Sequence, residues 1–481
     1  AGSGSSTGCC AMADSSETRT RVAWFTPLPP VESGISLYNQ ELLPLLATAW
    51  NVDVFVDGYR PSAPAETEHL RILPAREFRG RRRREPYAAV VYQMGNSPAH
   101  TYMYETALRV PGLLVLHDTL LHHLRLSMLL RRRGAGRYRA LMERLYGDEG
   151  AETAARVLRG QIPESLFAYP LSEDLIRAAR LVAVHSRFSA EQVRSLAPEA
   201  SVERVPMGIP LPQLVDRSEA RRRLSLPPDQ FVIASITHIN PYKRIDVVLR
   251  AVRKLRERLP LRVILAGSVS PLMPLDRLIS LYGLTGVVEH LGYVSDETAR
   301  LLVAASDACV NLRYPTAGET SASLLRTMGG ARPVFVTDDG SFREIPDGAA
   351  VKIPPDMLEE TYIMDLLEAL AGRPELARTI GRNARAFIER EHSLTAMVSG
   401  YHRLLEHLTG RALPMPVIPD AARHEQLHLL NQPLPPGDPL TDAVADALLE
   451  LGLGDQEKLL GKVADAGAEI GVWGKINGNG E

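Results

Sequence analysis

The chain has 481 residues, too many for one ordinary domain and enough for two or three. It is 45% hydrophobic and 23% charged, a globular composition, and its formal net charge of −2 gives no global field for nucleic acid. No apolar run approaches a membrane span, no signal-peptide core follows a basic start, and three cysteines make no disulfide framework, which suits a reducing cytoplasm.

Residues 1–20 read as a disordered or vector-derived leader, low in complexity at "AGSGSSTGCCA". From Arg21 short apolar runs alternate with amphipathic ones. "VAWF" at Val22 reads as a strand and runs into the turn "TPLPPVESG"; "ISLYNQELLPLLATAW" has helical spacing, weakened by Pro44. "VDVFV", "AAVVYQ", "GLLVLH" and "RLVAVHS" are further strands, with helical patterns among them. A second series starts near Phe231: "FVIASIT", "LRVILAG", "VVEHLG", "ACVNLR" and "PVFVT" are strands, and "RIDVVLRAVRKLRERL" and "DETARLLVAAS" are helices. Strands alternating with helices predict parallel sheets. The class is α/β, two doubly wound parallel-sheet domains facing across a cleft.

The expected boundaries are a first domain at 21–205 and a second at 206–392. A C-terminal helix at 393–408 crosses back, and 409–481 is a tail without an assigned role, holding a short helix at "DAVADALLELGL".

Ligands of open parallel sheets bind beyond the carboxyl ends of the strands, so the loops there carry the chemistry. In "PLPPVESGIS", Gly34 opens a helix after Ser33; it is a phosphate site or a plain glycine turn. In "LHDT", His117 and Asp118 close a buried strand, either facing a sugar hydroxyl or forming a structural pair. In "THINPYKRID", Lys243 and Arg244 suit a diphosphate or are solvated. In "RYPTAGETSASLLRTMGGARPV", Glu319, Thr320 and Ser321 stand where a helix begins, as caps or as a phosphate cradle. Glu344, in "DDGSFREIPDG", adds a carboxylate to the same cleft.

With the motifs "VESGIS", "VLHD", "VAVHS", "INPYKRID", "VILAGS", "LGYVSDE" and the block from Gly318 to Gly348, the chain from about Val22 to Leu408 resembles retaining nucleotide-sugar glycosyltransferases of the GT-B fold, the group that includes sucrose-phosphate synthase-like and mannosyltransferase-like enzymes. The resemblance implies two Rossmann-like domains, an acceptor side first and a donor side second. It implies transfer of a hexose from a nucleoside diphosphate sugar to a hydroxyl of a glycan or lipid-linked acceptor. His117, Lys243 and Glu319 would be catalytic. Gly34, His238, Lys243, Arg244, Thr320 and Ser321 would hold the donor phosphates; Asp118, Glu319, Arg326 and Glu344 would hold the sugar or ribose.

Two departures stand out. The family carries two Glu residues eight apart; here Arg326 occupies the second position and Glu319 lies only seven before it. His238 stands where a phosphate-binding Arg is common, with Arg244 as compensation. No Asp-x-Asp triplet and no zinc-type Cys/His cluster is present, so neither metal nor cofactor is expected. Two rival readings are a nucleotide-sugar epimerase of the same fold and a non-catalytic sugar-nucleotide-binding subunit in glycan assembly.

Arginine concentrates in "REFRGRRRREP" and "LRLSMLLRRRGAGRYR". These segments are either solvated faces or a peripheral contact with an anionic inner-membrane surface. No nucleic-acid partner is expected.

Overall fold

The computed structural model describes residues 19–131, 134–161 and 164–418. Most of the expected leader, the helix expected within 442–453, and Arg132 and Arg133 lie outside the described residues.

The first sheet comprises β1 (Arg21–Phe25), β2 (Asn51–Val56), β3 (Leu70–Pro74), β4 (Ala89–Met94), β5 (Leu113–Leu116), β6 (Leu181–Val184) and β7 (Val202–Arg204). Their order is β3-β2-β1-β4-β5-β6-β7. The second sheet comprises β8 (Phe231–Ile236), β9 (Leu261–Ala266), β10 (Val288–His290), β11 (Ala308–Asn311), β12 (Val334–Thr337) and β13 (Val351–Ile353), ordered β10-β9-β8-β11-β12-β13. Every pairing between these strands is parallel. Helices cover both faces, which is why the central strands are almost continuously apolar: "VAWF" and "AVVYQM" are buried throughout. The chain reverses direction beside β1 in one sheet and beside β8 in the other, and these switch points open the crevices where ligands bind.

Five helices position the site: α1 (Gly34–Leu46), α2 (Arg187–Leu196), α3 (Ile245–Leu255), α4 (Ala322–Gly329) and α5 (Leu394–Thr409). Pro44 lies inside α1, two residues from its end, so the helix outlasts the residue expected to weaken it. The last helix among the described residues, α5, packs on α1 and β4 rather than on the sheet that precedes it. There the Tyr401 hydroxyl lies 2.9 Å from that of Tyr38, and the Trp50 indole donates to His402 at 3.1 Å.

Strands β3, β7 and β13 were not expected from the sequence. All three are sheet edges of three to five residues with partly exposed patterns, so they carry no long apolar run.

Tyr401→Phe deletes a buried hydroxyl and strips Tyr38 of its partner. It should cost about 1–2 kcal/mol, read as a lower urea midpoint of the first domain with unchanged helical circular dichroism.

Candidate active site

Two joined cavities fill the cleft between the sheets. One, of about 480 Å³, is lined by His117, Asp118, Lys243, Arg313, Glu319 and their neighbours. The other, of about 690 Å³, runs past His238, Ser268 and Tyr293 to Arg326. They share Ser33, Gly34, Thr237, His238, Ala322 and Ser323.

The shared wall is built from two helix starts. Ser33 caps α1, its hydroxyl accepting from the Ser36 N–H at 3.0 Å. A Cβ at Gly34 would touch only Ala322, at 3.9 Å, so the bare backbone there leaves room for a ligand and no protein neighbour demands it. Opposite, Ser321 caps α4. The Thr320 Oγ1 beside it is buried with no hydrogen-bond partner among the described residues.

The charged groups meet in the smaller cavity. Lys243 ends a single turn after β8 and is 7% exposed. Burial, and then the charge of Arg313, drive its ammonium well below the usual range, against the pull of Glu319 and Asp118. Burial would raise Glu319, but Arg313 and Lys243 outweigh it and hold the carboxyl low. Asp118 moves the other way: burial and the neighbouring Glu319 charge push it up to about 7. Its carboxylate accepts from the Asn96 N–H at 2.7 Å.

Arg313 was not singled out from the sequence. It follows β11 directly, where strand-end loops carry function, but it was passed over for the helix start behind it. Its guanidinium donates to Glu319 and, at 3.3 Å, to Ser321 Oγ, and it lies over the Phe342 ring at 5.7 Å. Its Nε is buried and has no partner among the described residues.

The first domain closes directly onto this loop. The N–H groups of Thr119 and Leu120 donate to the Ala317 carbonyl at 2.9 and 3.2 Å, and the Ser189 hydroxyl donates to the Gly318 carbonyl at 2.5 Å. Gly318 has φ +80°, and a Cβ there would fall 2.1 Å from Thr119 Oγ1. The position eight before Arg326 is therefore unable to carry a side chain, and the carboxylate appears one residue later, at Glu319. That carboxylate also ties its own loop, accepting from the Ala317 N–H at 2.8 Å and the Thr316 hydroxyl at 3.0 Å.

The geometry bears on four expected roles. Both ring nitrogens of His117 are taken, Nε2 by Gln93 Oε1 at 2.6 Å and Nδ1 by His185 Nε2 at 3.2 Å, so a sugar hydroxyl reaches neither without displacing a bond. Arg244 lies outside both cavities. Its backbone is left-handed, φ +56°, and its side chain is held by the buried Glu359, with Nε 3.0 Å from Oε2. Glu344 faces the start of α2, accepting from the Arg187 and Phe188 N–H groups at 3.1 and 2.8 Å. It lines a cavity of about 230 Å³ that shares Thr320 and Ser321 with the one around Lys243. Arg326 points to the larger cavity, paired with Glu41 of α1. His238 lines both cavities, its Nδ1 2.8 Å from Ser268 Oγ. Among the described residues no group of three or more His, Cys, Asp or Glu is placed to hold a metal ion.

Residues 216–387 match the family model "Glycosyl transferases group 1". This match falls within the second domain, over β8 to β13 and the helices between them. Among curated relatives, the D-inositol 3-phosphate glycosyltransferase of Nocardia farcinica is 28% identical over 252 residues, 49% of this chain and 56% of that one. The MMP alpha-(1→4)-mannosyltransferase of Mycolicibacterium hassiacum is 28% identical over 159 residues, 32% of this chain and 37% of that one. The chain thus spans about half the length of the curated relatives it matches, or less. In fold, the chain is similar to sucrose-phosphate synthase from Thermosynechococcus elongatus, with TM-score 0.63 and 16% identity over 82% of this chain and all of that one. It is also similar to Anabaena HepE in complex with UDP and glucose, with TM-score 0.58 and 15% identity over the same shares. The fold of this chain is GT-B.

The raised Asp118 has a direct consequence. The folded state favours its protonated form, so its contribution to stability is full below the unfolded value of about 4 and is lost as pH rises through about 7. Asp118→Asn keeps an acceptor for the Asn96 N–H. It should melt higher than wild type at pH 8, with the advantage gone by pH 4, as thermal melts across that range will show.

Proposed function

We propose that the chain is a metal-independent glycosyltransferase that moves a hexose from a nucleoside diphosphate sugar to a hydroxyl acceptor with retention of anomeric configuration. The observation that carries this reading is the convergence of Lys243, Arg313 and the start of α4 on one cavity, opposite the bare backbone of Gly34. Two cations and a helix N-terminus suit a diphosphate that gains charge as the bond to the sugar breaks. Arg313 takes the place first assigned to Arg244.

In this reading the diphosphate displaces Lys243 and Arg313 from their internal balance with Asp118 and Glu319. Its negative charge favours the ammonium form of the buried Lys243, and the cations in turn stabilise the leaving group. The leaving phosphate oxygen takes the acceptor proton on the same face, so His117 shapes the sugar site with its ring and serves as no base. Glu319 holds the loop that presents Arg313, and its remaining lone pairs face the hexose. Closure over Gly318 excludes water and limits hydrolysis.

The acceptor enters along the first-domain wall, past Asn96, His123 and Phe167. Phe167 meets Tyr242 of the second domain edge to face at 4.8 Å, which narrows the cleft there. A glycan or a lipid-linked acceptor fits this wall. Exposed Arg79, Arg82, Arg83 and Arg84 on the helix Phe78–Arg84, and exposed Leu130 and Arg131, support peripheral contact with a cytoplasmic anionic membrane face. Among the described residues no helix is long and apolar enough to cross a membrane.

The test is turnover of UDP-, GDP-, ADP-, TDP- and CDP-sugars against an acceptor panel, with anomeric configuration of the product read by NMR. Lys243→Met keeps the stem and removes the charge. It should lower kcat by about 10²–10³-fold, with an α-configured donor giving an α-product in the wild type. Wild-type turnover in Lys243→Met with a bound donor would place the diphosphate elsewhere.

A further inference from the structure

The larger cavity holds an ion pair that the reaction does not explain. Glu41 of α1 and Arg326 of α4 meet across the domain boundary. Both line the cavity of about 690 Å³ and also a smaller one, of about 230 Å³, behind it. Pairing leaves one carboxylate oxygen over: Glu41 Oε2 is buried and has no hydrogen-bond partner among the described residues. A buried acceptor of this kind is costly unless something donates to it.

The position of the pair says what would donate. If the diphosphate lies against Lys243 and Arg313, the nucleoside extends through the wall shared by the two cavities, at Gly34, His238, Ala322 and Ser323. Arg326 is three residues beyond Ser323 on α4, about 4.5 Å along the axis. The first portion of the ligand past the phosphates is the ribose, and it carries two vicinal hydroxyls. A carboxylate accepts from such a pair, whereas a guanidinium has only donors to offer. We propose that Glu41, held in place by Arg326, receives the ribose hydroxyls of the donor, so that the nucleoside is read by both domains together.

This rests on the donor reading above and adds a specificity-determining residue to it. It also assigns Arg326 a purpose: the guanidinium stands on the second domain where a carboxylate would otherwise project, and it fixes a carboxylate borrowed from the first. Donor recognition is then tied to domain closure, because an open cleft separates Glu41 from Arg326. Burial, with Asp296 adding to it, raises the Glu41 carboxyl against the pull of Arg326, so binding is best compared at pH 8, which favours the carboxylate.

The experiment compares UDP, GDP and ADP with their 2′,3′-dideoxy counterparts by calorimetry on the full chain. Wild type should prefer the ribose form of its nucleotide by about ten- to a hundredfold, the range for hydrogen bonds to a charged group. Glu41→Gln should reduce that preference to within about threefold, and Arg326→Gln, which leaves the carboxylate in place, should retain most of it. An undiminished preference in Glu41→Gln overturns the assignment while leaving the donor reading intact, as does a preference lost only in Arg326→Gln. No binding of any nucleoside diphosphate to wild type overturns the donor reading and this inference together.

Discussion

The site depends on the contact of the first domain with the backbone of Ala317 and Gly318. The N–H groups of Thr119 and Leu120 and the hydroxyls of Thr119 and Ser189 grip two carbonyls, and they do so only because Gly318 has no side chain. That grip seals four ionisable groups from two domains into one small volume: Asp118 from the first, and Lys243, Arg313 and Glu319 from the second. Two basic and two acidic groups face one another there. Each group is nonetheless displaced from its ordinary behaviour, because burial penalises every charge and the partners compensate unequally. A site poised in this way answers strongly to an added anion.

Connectivity supplies the same logic at larger scale. Both sheets have their reversal point beside the first strand, so the loops after β1, β8 and β11 converge by topology rather than by sequence proximity. The starts of α1 and α4 then face each other, close enough that a Cβ on Gly34 would touch Ala322. Helix α5, the last among the described residues, returns to the first domain through Tyr401 and His402. Conformational change at the cleft must therefore be accommodated near the two crossings, where the His392 imidazole Nδ1 is 2.8 Å from the Met207 carbonyl oxygen.

Much of this was legible in the sequence. Buried strands such as "VAWF", "VDVFV" and "FVIASI" announce themselves because parallel strands are apolar on both faces, and the loops after them named Gly34, Asp118, Lys243 and Glu319. The edge strands escaped because a short, half-exposed strand such as "VER" has no periodic signal. Side-chain direction escaped too. Arg244 sits beside Lys243 in sequence, but a left-handed backbone turns it toward Glu359. Glu344 follows a strand, as a ligand residue would, yet two free N–H groups of α2 claim it. The spacing anomaly at Glu319 became intelligible only with Thr119 in view, a residue 199 positions before Gly318 in the chain.

The central claim is that a diphosphate enters the balanced charge cluster around Lys243. Such a ligand stabilises the ammonium of Lys243 and the protonated form of Asp118, so its binding must draw protons from solution. Calorimetric titration of the cognate nucleoside diphosphate at pH 8, repeated in buffers of different ionisation enthalpy, measures that number. At this pH the free diphosphate is fully ionised and releases none itself. Net proton uptake, largely lost in Lys243→Met, is the result the account predicts. Binding with no proton exchange, or with uptake unchanged in Lys243→Met, would contradict it.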